Sequence, residues 1–293
     1  MERFLQAITF YLLLPWLYLI ALLPFSLLYG LSWLTFVLVY YVVRYRRAVV
    51  WENLCNAFPE KKAIERQRIC KAFYRYLCDL VFEHIKMLTI TKKQALRRCQ
   101  FHNIEVFQQL YAQKRHVIAV MGHLGNWEWA GNSMALQTDY ELCAIYKPLS
   151  NPYFDRLVYR LRARFGRRLI QQSDTLRAML GYDVAPKVTA FLADQTPPRE
   201  HAYVTTFLNQ STYVFKGIAK LAKKLNHAVV YASVRSIRRG YYKIYLELLF
   251  ENPSSMQENE ISEAHTRKLE EDICRQPATW LWSHRRWKHS VIG

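Results

Sequence analysis

From Phe4 to Val43 the chain carries forty residues without a charged side chain, most of them apolar or aromatic. One bilayer crossing takes about 20 apolar residues, so the run is roughly twice the length of a single span. Pro15 and Pro24 interrupt it. Two arrangements follow: one tilted span followed by an interfacial helix, or a tight helical hairpin. A cleaved signal peptide is the alternative, but its apolar region is only about 7–15 residues and needs a small-x-small cleavage site, which is not seen. Arg44, Arg46 and Arg47 follow the run at once, whereas only Glu2 and Arg3 precede it. That asymmetry puts the bulk of the chain in the cytoplasm. Residues 1–47 therefore read as a membrane anchor and 48–293 as a cytoplasmic domain.

The chain's 293 residues are enough for one large α/β domain or two small ones. With 41 Lys and Arg against 23 Asp and Glu, the formal net charge is +18, which points to an anionic partner. The apolar anchor favours an acidic membrane surface or an acidic protein over nucleic acid. Cys55, Cys70, Cys78, Cys99, Cys143 and Cys274 show no C-x-x-C spacing and read as reduced residues, in keeping with the cytoplasm. Neither zinc-ligand spacing, a P-loop nor G-x-G-x-x-G occurs, so no metal and no nucleotide cofactor is expected.

Helical periodicity runs over Val49–Phe58 and Ala63–Leu88, broken at Pro59, with Leu77, Leu80, Val81 and Ile85 as one apolar stripe. The pattern then changes. Short runs rich in Val, Ile, Tyr and Leu lie at His116–Met121, Leu142–Tyr146, Val188–Ala193, Ala228–Val234 and Tyr242–Leu249. Helical candidates alternate with them at Glu128–Leu136, Tyr153–Phe165, Thr175–Leu180, Val214–Asn226 and Ile261–Cys274. Such alternation predicts an α/β fold, a mixed central sheet flanked by helices, with chemistry collecting at the carboxyl ends of strands. Glu251–Glu260 reads as a floppy loop.

His123 follows the first strand and Glu128 stands five residues on. Five residues turn a helix by about 500°, so the two cannot share one helical face. They converge only with His123 on a strand end and Glu128 in the first turn of the next helix. Gly125 permits the turn and Asn126 is a good N-cap. A histidine held by a carboxylate there would be a general base; the bland alternative is a surface His beside a Glu that favours the helix macrodipole.

Three other groups stand out. Asp194 follows the strand Val188–Ala193 and opens a loop stiffened by Pro197 and Pro198, either shaping a pocket and orienting a hydroxyl or making an ordinary turn. Arg156, Arg160 and Arg164 share a helical face near Arg162, Arg167 and Arg168, suited to phosphate or an acidic protein unless simply solvated. Trp280-Leu-Trp-Ser-His-Arg-Arg-Trp-Lys288 interleaves indoles with cations. Such a segment fits a membrane interface, single-stranded nucleic acid, against which the apolar anchor argues, or a closing helix whose tryptophans pack on the core.

His123-Leu-Gly-Asn-Trp-Glu128 resembles the H-x4-D/E motif of the lysophospholipid/glycerolipid acyltransferase superfamily. More narrowly, the chain resembles the late acyltransferases of lipid A biosynthesis, the lauroyl and myristoyl transferases of Gram-negative bacteria. Supporting it are the anchor with Arg44–Arg47, Glu52-Asn53 before Phe58-Pro59, and Tyr146-Lys-Pro148 with Asn151-Pro152 leading to Arg162 and Arg164. Ala193-Asp194-Gln195, Phe207, Gly217 and the closing Trp282–Lys288 match as well. The resemblance implies an inner-membrane enzyme, its catalytic domain on the cytoplasmic face, moving a fatty acyl chain from acyl carrier protein to a hydroxyl of a lipid A precursor. His123 would be the base and Glu128 would orient it. Arg162, Arg164, Asp194, Arg285, Arg286 and Asn126 would contact substrate, with Arg164 or backbone N–H groups near Gly125 serving the oxyanion. A lysophospholipid or aminolipid acceptor, or a non-catalytic protein binding anionic lipid, are the competing readings.

Overall fold

The computed structural model describes residues 2–181 and 185–288. Two apolar helices come first, α1 (Glu2–Leu22) and α2 (Phe25–Val37), the latter continued by a π-helical turn over Leu38–Val43. Pro15 lies inside α1; only Leu23 and Pro24 break the run. Both helices pack on α4 rather than chiefly on each other, so the pair is not a tight hairpin. Each is long and apolar enough to cross a membrane, with mean hydropathy 1.8 for Glu2–Leu22 and 1.7 for Phe25–Val43.

The next helices are α3 (Arg47–Ala57) and α4 (Ala63–Lys86), close to the periodicity read from sequence. The expected stripe is part of what α4 buries: Leu80 is buried and Leu77 packs on the core, but the burial reaches further. Val81 is exposed, whereas Phe73, Tyr74, Cys78, Asp79 and Glu83 are buried, because α4 is covered both by the N-terminal helices and by the domain.

After α5 (Lys92–Arg98) the chain enters the sheet with β1 (Cys99–Phe101), then α6 (Glu105–Ala112) and β2 (Val117–Met121). It continues through α7 (Trp127–Gln137), β3 (Glu141–Tyr146), α8 (Pro152–Ala163), β4 (Arg168–Gln171), α9 (Thr175–Leu180) and β5 (Lys187–Leu192). A hairpin of β6 (Ala202–Phe207) and β7 (Gln210–Phe215) stands apart, and α10 (Gly217–Leu225), β8 (Ala228–Arg238), β9 (Tyr241–Phe250) and α11 (Glu258–Arg275) complete the domain. The seven-stranded sheet has the order β1-β9-β8-β2-β5-β3-β4. All neighbours are parallel except β8 and β9, which makes the sheet mixed, as expected.

β2 is buried at every position, the pattern of a central parallel strand covered on both faces. Val117, Ala119 and Met121 face the core shared with α7, and Ile118 and Val120 face α10 and α11. Four strands escaped the sequence pattern. β1 and β4 are short edge strands, which are blunt and polar by nature. The β6–β7 turn uses Leu208 and Asn209 at φ 51° and 61°, without the Asn-Gly signal of such hairpins. Val214 consequently belongs to β7, and α10 begins only at Gly217. Glu251–Glu260 is ordered rather than floppy: Pro253 is buried in a 3-10 turn, and Gln257 N–H donates to Glu260 Oε2 at 2.8 Å to start α11.

Candidate active site

β2 and β5 are parallel neighbours with Met121 opposite Leu192, and Ala193 N–H donates to Met121 O at 2.9 Å before the chains part. His123 and Asp194 each stand two residues beyond that pair, and they meet. His123 Nδ1 lies 2.6 Å from Asp194 Oδ1. Asp194 Oδ2 accepts from the His123 backbone N–H and from the Trp280 indole, each at 2.8 Å. Gly122 makes the approach possible, since a Cβ there would sit 3.3 Å from Asp194 Oδ2 and 2.5 Å from Leu269 Cδ1.

The carboxylate on the His123 ring is therefore that of Asp194, and the expectation that Glu128 would orient the ring is corrected. Gly125, at φ 59° with a would-be Cβ 2.2 Å from Val234 O, turns the chain. Asn126 caps α7, its Oδ1 accepting from Trp129 N–H at 2.9 Å. Glu128 lies in the first helical turn as expected, but its side chain is claimed by two guanidiniums. Arg162 donates from Nε at 2.9 Å and Nη2 at 2.5 Å, and Arg167 from Nη2 at 3.1 Å. Gly131, one turn on, leaves room for Arg167: a Cβ there would meet Nη1 at 2.1 Å.

These contacts set the charges. Burial alone would raise both carboxyls, yet the His123 ring and the N–H groups hold Asp194 down at about 2, and Arg167 and Arg162 hold Glu128 at about 2. For His123, burial pushes the pKa down, but the Asp194 charge and hydrogen bond outweigh it and the net shift is upward. With Asp194 ionised, Nδ1 donates to it and Nε2 is left as the proton acceptor.

A cavity of about 550 Å³ is lined by His123, Glu128, Arg162 and Arg167 together with an apolar wall. Within that wall Ala144 faces Ala190 across β3 and β5, and Leu142 lies opposite Val188. The lining thus runs from the level of Leu142 and Val188 to Leu192, four steps along β5, or about 13 Å down the sheet. The Trp127 ring stands edge-on to His123 with centroids 4.9 Å apart.

Several expected site residues lie elsewhere. Asn126 is fully buried and serves as the helix cap, not as a substrate contact. Arg164 donates to Met87 O at 2.7 Å and does not line the cavity, and Gly125 N–H is used by Thr279 O at 3.2 Å. Arg164 thus stands outside the cavity, and the Gly125 N–H is already bonded. Arg156, Arg160 and Arg164 form a solvated face of α8, while Arg162 turns inward. Arg285 is exposed, but Arg286 is 2% exposed and donates from Nη2 to Tyr213 O at 2.5 Å, under the β6–β7 hairpin. The closing segment is neither a helix nor an interfacial strip: Trp280 and Trp282 are buried, and Trp280 bonds to Asp194. Sequence reasoning did not single out Arg167 as a site residue or join Trp280 to the site. Among the described residues no group of three or more His, Cys, Asp or Glu side chains could hold a metal ion.

The model of the bacterial lipid A biosynthesis acyltransferase family matches residues 2–289. A lipid A biosynthesis acyltransferase of Haemophilus influenzae is 21% identical over 267 residues, covering 91% of this chain and 83% of that protein. A lipid A biosynthesis lauroyltransferase of Escherichia coli is 24% identical over 281 residues, covering 94% of this chain and 90% of its own. The palmitoleoyltransferase of the same organism is 23% identical over 253 residues, with 85% and 80% covered. The chain is an acyltransferase and belongs to the bacterial lipid A biosynthesis acyltransferase family.

Proposed function

We propose that this enzyme transfers a fatty acyl chain from the thioester of acyl carrier protein to a hydroxyl of a lipid A precursor, with His123 as general base. The observation that carries this reading is that His123, its ring held from behind by Asp194, lines a cavity with a long apolar wall. A secondary hydroxyl is far too weak an acid to ionise at neutral pH. His123 Nε2 takes its proton as the oxygen attacks the thioester carbonyl carbon. The tetrahedral intermediate then expels the thiolate, breaking the carbon–sulfur bond, and His123 returns the proton to sulfur. Asp194 fixes the tautomer and stabilises the imidazolium, a service usually worth about 10² to 10⁴ in rate with the base included.

Glu128 acts one step away, holding Arg162 and Arg167 at the cavity wall. Arg162 then faces an acceptor phosphate or the developing oxyanion. The apolar wall takes the acyl chain, each buried methylene contributing about 0.8 kcal/mol. The net charge of +18 draws the acidic carrier protein. α1 and α2, with Phe4, Leu12, Trp16 and Leu19 exposed on α1, hold the site at the inner membrane, and Arg44–Arg47 keep the domain on its cytoplasmic face.

The test is to incubate the detergent-solubilised enzyme with carrier-protein thioesters of several chain lengths and a tetra-acylated lipid A precursor, and to weigh the lipid. The expected result is a mass gain of one acyl chain, abolished in His123→Ala. Acylation of a lysophospholipid instead would keep the chemistry and overturn the acceptor. Substantial turnover by His123→Ala would remove the base assignment.

A further inference from the structure

Four polar side chains of α4, three buried and Tyr76 half-buried, fall on one helical face. Tyr76, Asp79, Glu83 and Lys86 are spaced i, i+3, i+7, i+10, and each reaches a different part of the molecule. Lys86 Nζ donates to Ala21 O and Leu23 O, at 2.7 and 2.8 Å, at the end of α1. Asp79 accepts from Ser32 on α2 at 2.5 Å and from Arg239 in the β8–β9 turn at 2.7 Å. Tyr76 OH donates to Gly125 O at 2.5 Å.

Glu83 is the centre of this seam. It is 0% exposed, and its carboxylate accepts three hydrogen bonds from three elements. Tyr29 OH of α2 donates at 2.8 Å, Tyr242 OH of β9 at 2.7 Å, and Asn126 Nδ2 at 2.7 Å. Its backbone oxygen also accepts from the Trp129 indole at 3.0 Å. Burying a carboxylate is costly, and an apolar side chain would pack there without that cost. What the carboxylate adds is a fixed acceptor for Asn126. That amide is held at both ends, Nδ2 by Glu83 and Oδ1 by Trp129 N–H, so it cannot rotate. Asn126 stands between His123, which must meet Asp194, and Glu128, which must meet Arg162 and Arg167.

We propose that Glu83 is a positioning residue for the acyl transfer, holding the His123–Glu128 turn in register through the Asn126 amide. The proposal rests on the reading of His123 as base. Because Tyr29 reaches the same carboxylate, the turn is tied to the second apolar helix as well as to the sheet. Burial lifts the Glu83 carboxyl to about 7, with its three donors opposing the rise.

The test reverses the polarity of one hydrogen bond in the full-length chain. Asn126→Asp keeps the helix cap but, assayed at a pH above about 8 where the Glu83 carboxyl is ionised, sets two carboxylates against each other. Adding Glu83→Gln restores a donor–acceptor pair in the opposite sense. For Asn126→Asp, kcat should fall about tenfold to a hundredfold with donor and acceptor KM within about twofold, in protein that melts above the assay temperature. The double variant should recover kcat to within about threefold of the parent. Parental kcat in Asn126→Asp, or no recovery on adding Glu83→Gln, would overturn the proposal while an inactive His123→Ala left the base assignment standing. An active His123→Ala would overturn both.

Discussion

Asp194→Asn is the perturbation that separates the arrangement seen here from the one the motif suggests. Asp194 Oδ2 accepts two groups that can only donate, the His123 backbone N–H and the Trp280 indole N–H. An asparagine in this place therefore turns its carbonyl oxygen toward them and its NH2 toward His123 Nδ1. That nitrogen becomes the acceptor, the ring proton moves to Nε2, and the ring presents a donor to the hydroxyl it should deprotonate. The expected loss in kcat is about 10² to 10⁴, or roughly 3–5 kcal/mol at about 1.36 kcal/mol per tenfold, with the KM values little changed. The pH profile gives an independent reading. In the parent, burial depresses the His123 pKa but Asp194 more than reverses this, so the ring titrates above its ordinary 6.5. With His123 as the proposed base, activity should fall as pH drops through that value, because the protonated ring cannot accept. Without the Asp194 charge the acid limb of kcat/KM should move to lower pH. Rates against pH with the mass-resolved lipid assay measure both effects. An Asp194→Asn enzyme within tenfold of the parent, with an unmoved limb, would refute the pairing as the source of catalysis.

Glu128→Ala should behave differently. It leaves Arg167, at 6% side-chain exposure, and Arg162, at 27%, without their carboxylate. Breaking such a buried pair costs about 3–5 kcal/mol, so Tm should drop by roughly 6–10 °C, while the acid limb set by His123 moves to lower pH, by less than in Asp194→Asn, because the Glu128 charge also raises the ring. A melting curve and a pH profile check this; an unchanged Tm would contradict it. Ala190→Leu places a larger side chain on the apolar wall opposite Ala144. The preferred acyl donor should become shorter, with about a fourfold loss in kcat/KM for each methylene excluded, measured over a series of thioester lengths.

The fold was largely legible because its central elements obey strong local rules. The five principal strands and the helices between them show in the runs of Val, Ile, Leu and Tyr and in periods of 3.6, and α9 falls at Thr175–Leu180 as read. The misses have local causes too. β4 opens on Arg168 and is an edge, and the β6–β7 turn uses Leu208-Asn209 in place of a glycine-bearing pair. On α4 the apolar stripe holds at Leu77 and Leu80 and fails at Val81, and the face carrying Asp79, Glu83 and Lys86 was missed because it is buried through hydrogen bonds. Polar burial leaves no hydrophobic period to find.

The site divides along the same line. Gly125 and Asn126 place His123 at a strand end and Glu128 in the first helical turn, and both placements follow from local chemistry. What does not follow is that the two converge. The ring's partner is decided by which strand lies beside β2, and parallel neighbours are joined by crossovers, so adjacency carries no local mark. Asp194 is 71 residues from His123. Once β5 is known to pair with β2 at Met121 and Leu192, the meeting of the two side chains follows from equal steps beyond that pair. Glu128 is then released for the arginines, and Gly131 admits the second of them. An H-x4-E spacing thus builds two linked carboxylate sites from one turn: Asp194 sets the proton chemistry of His123, and Glu128 sets the cationic wall opposite.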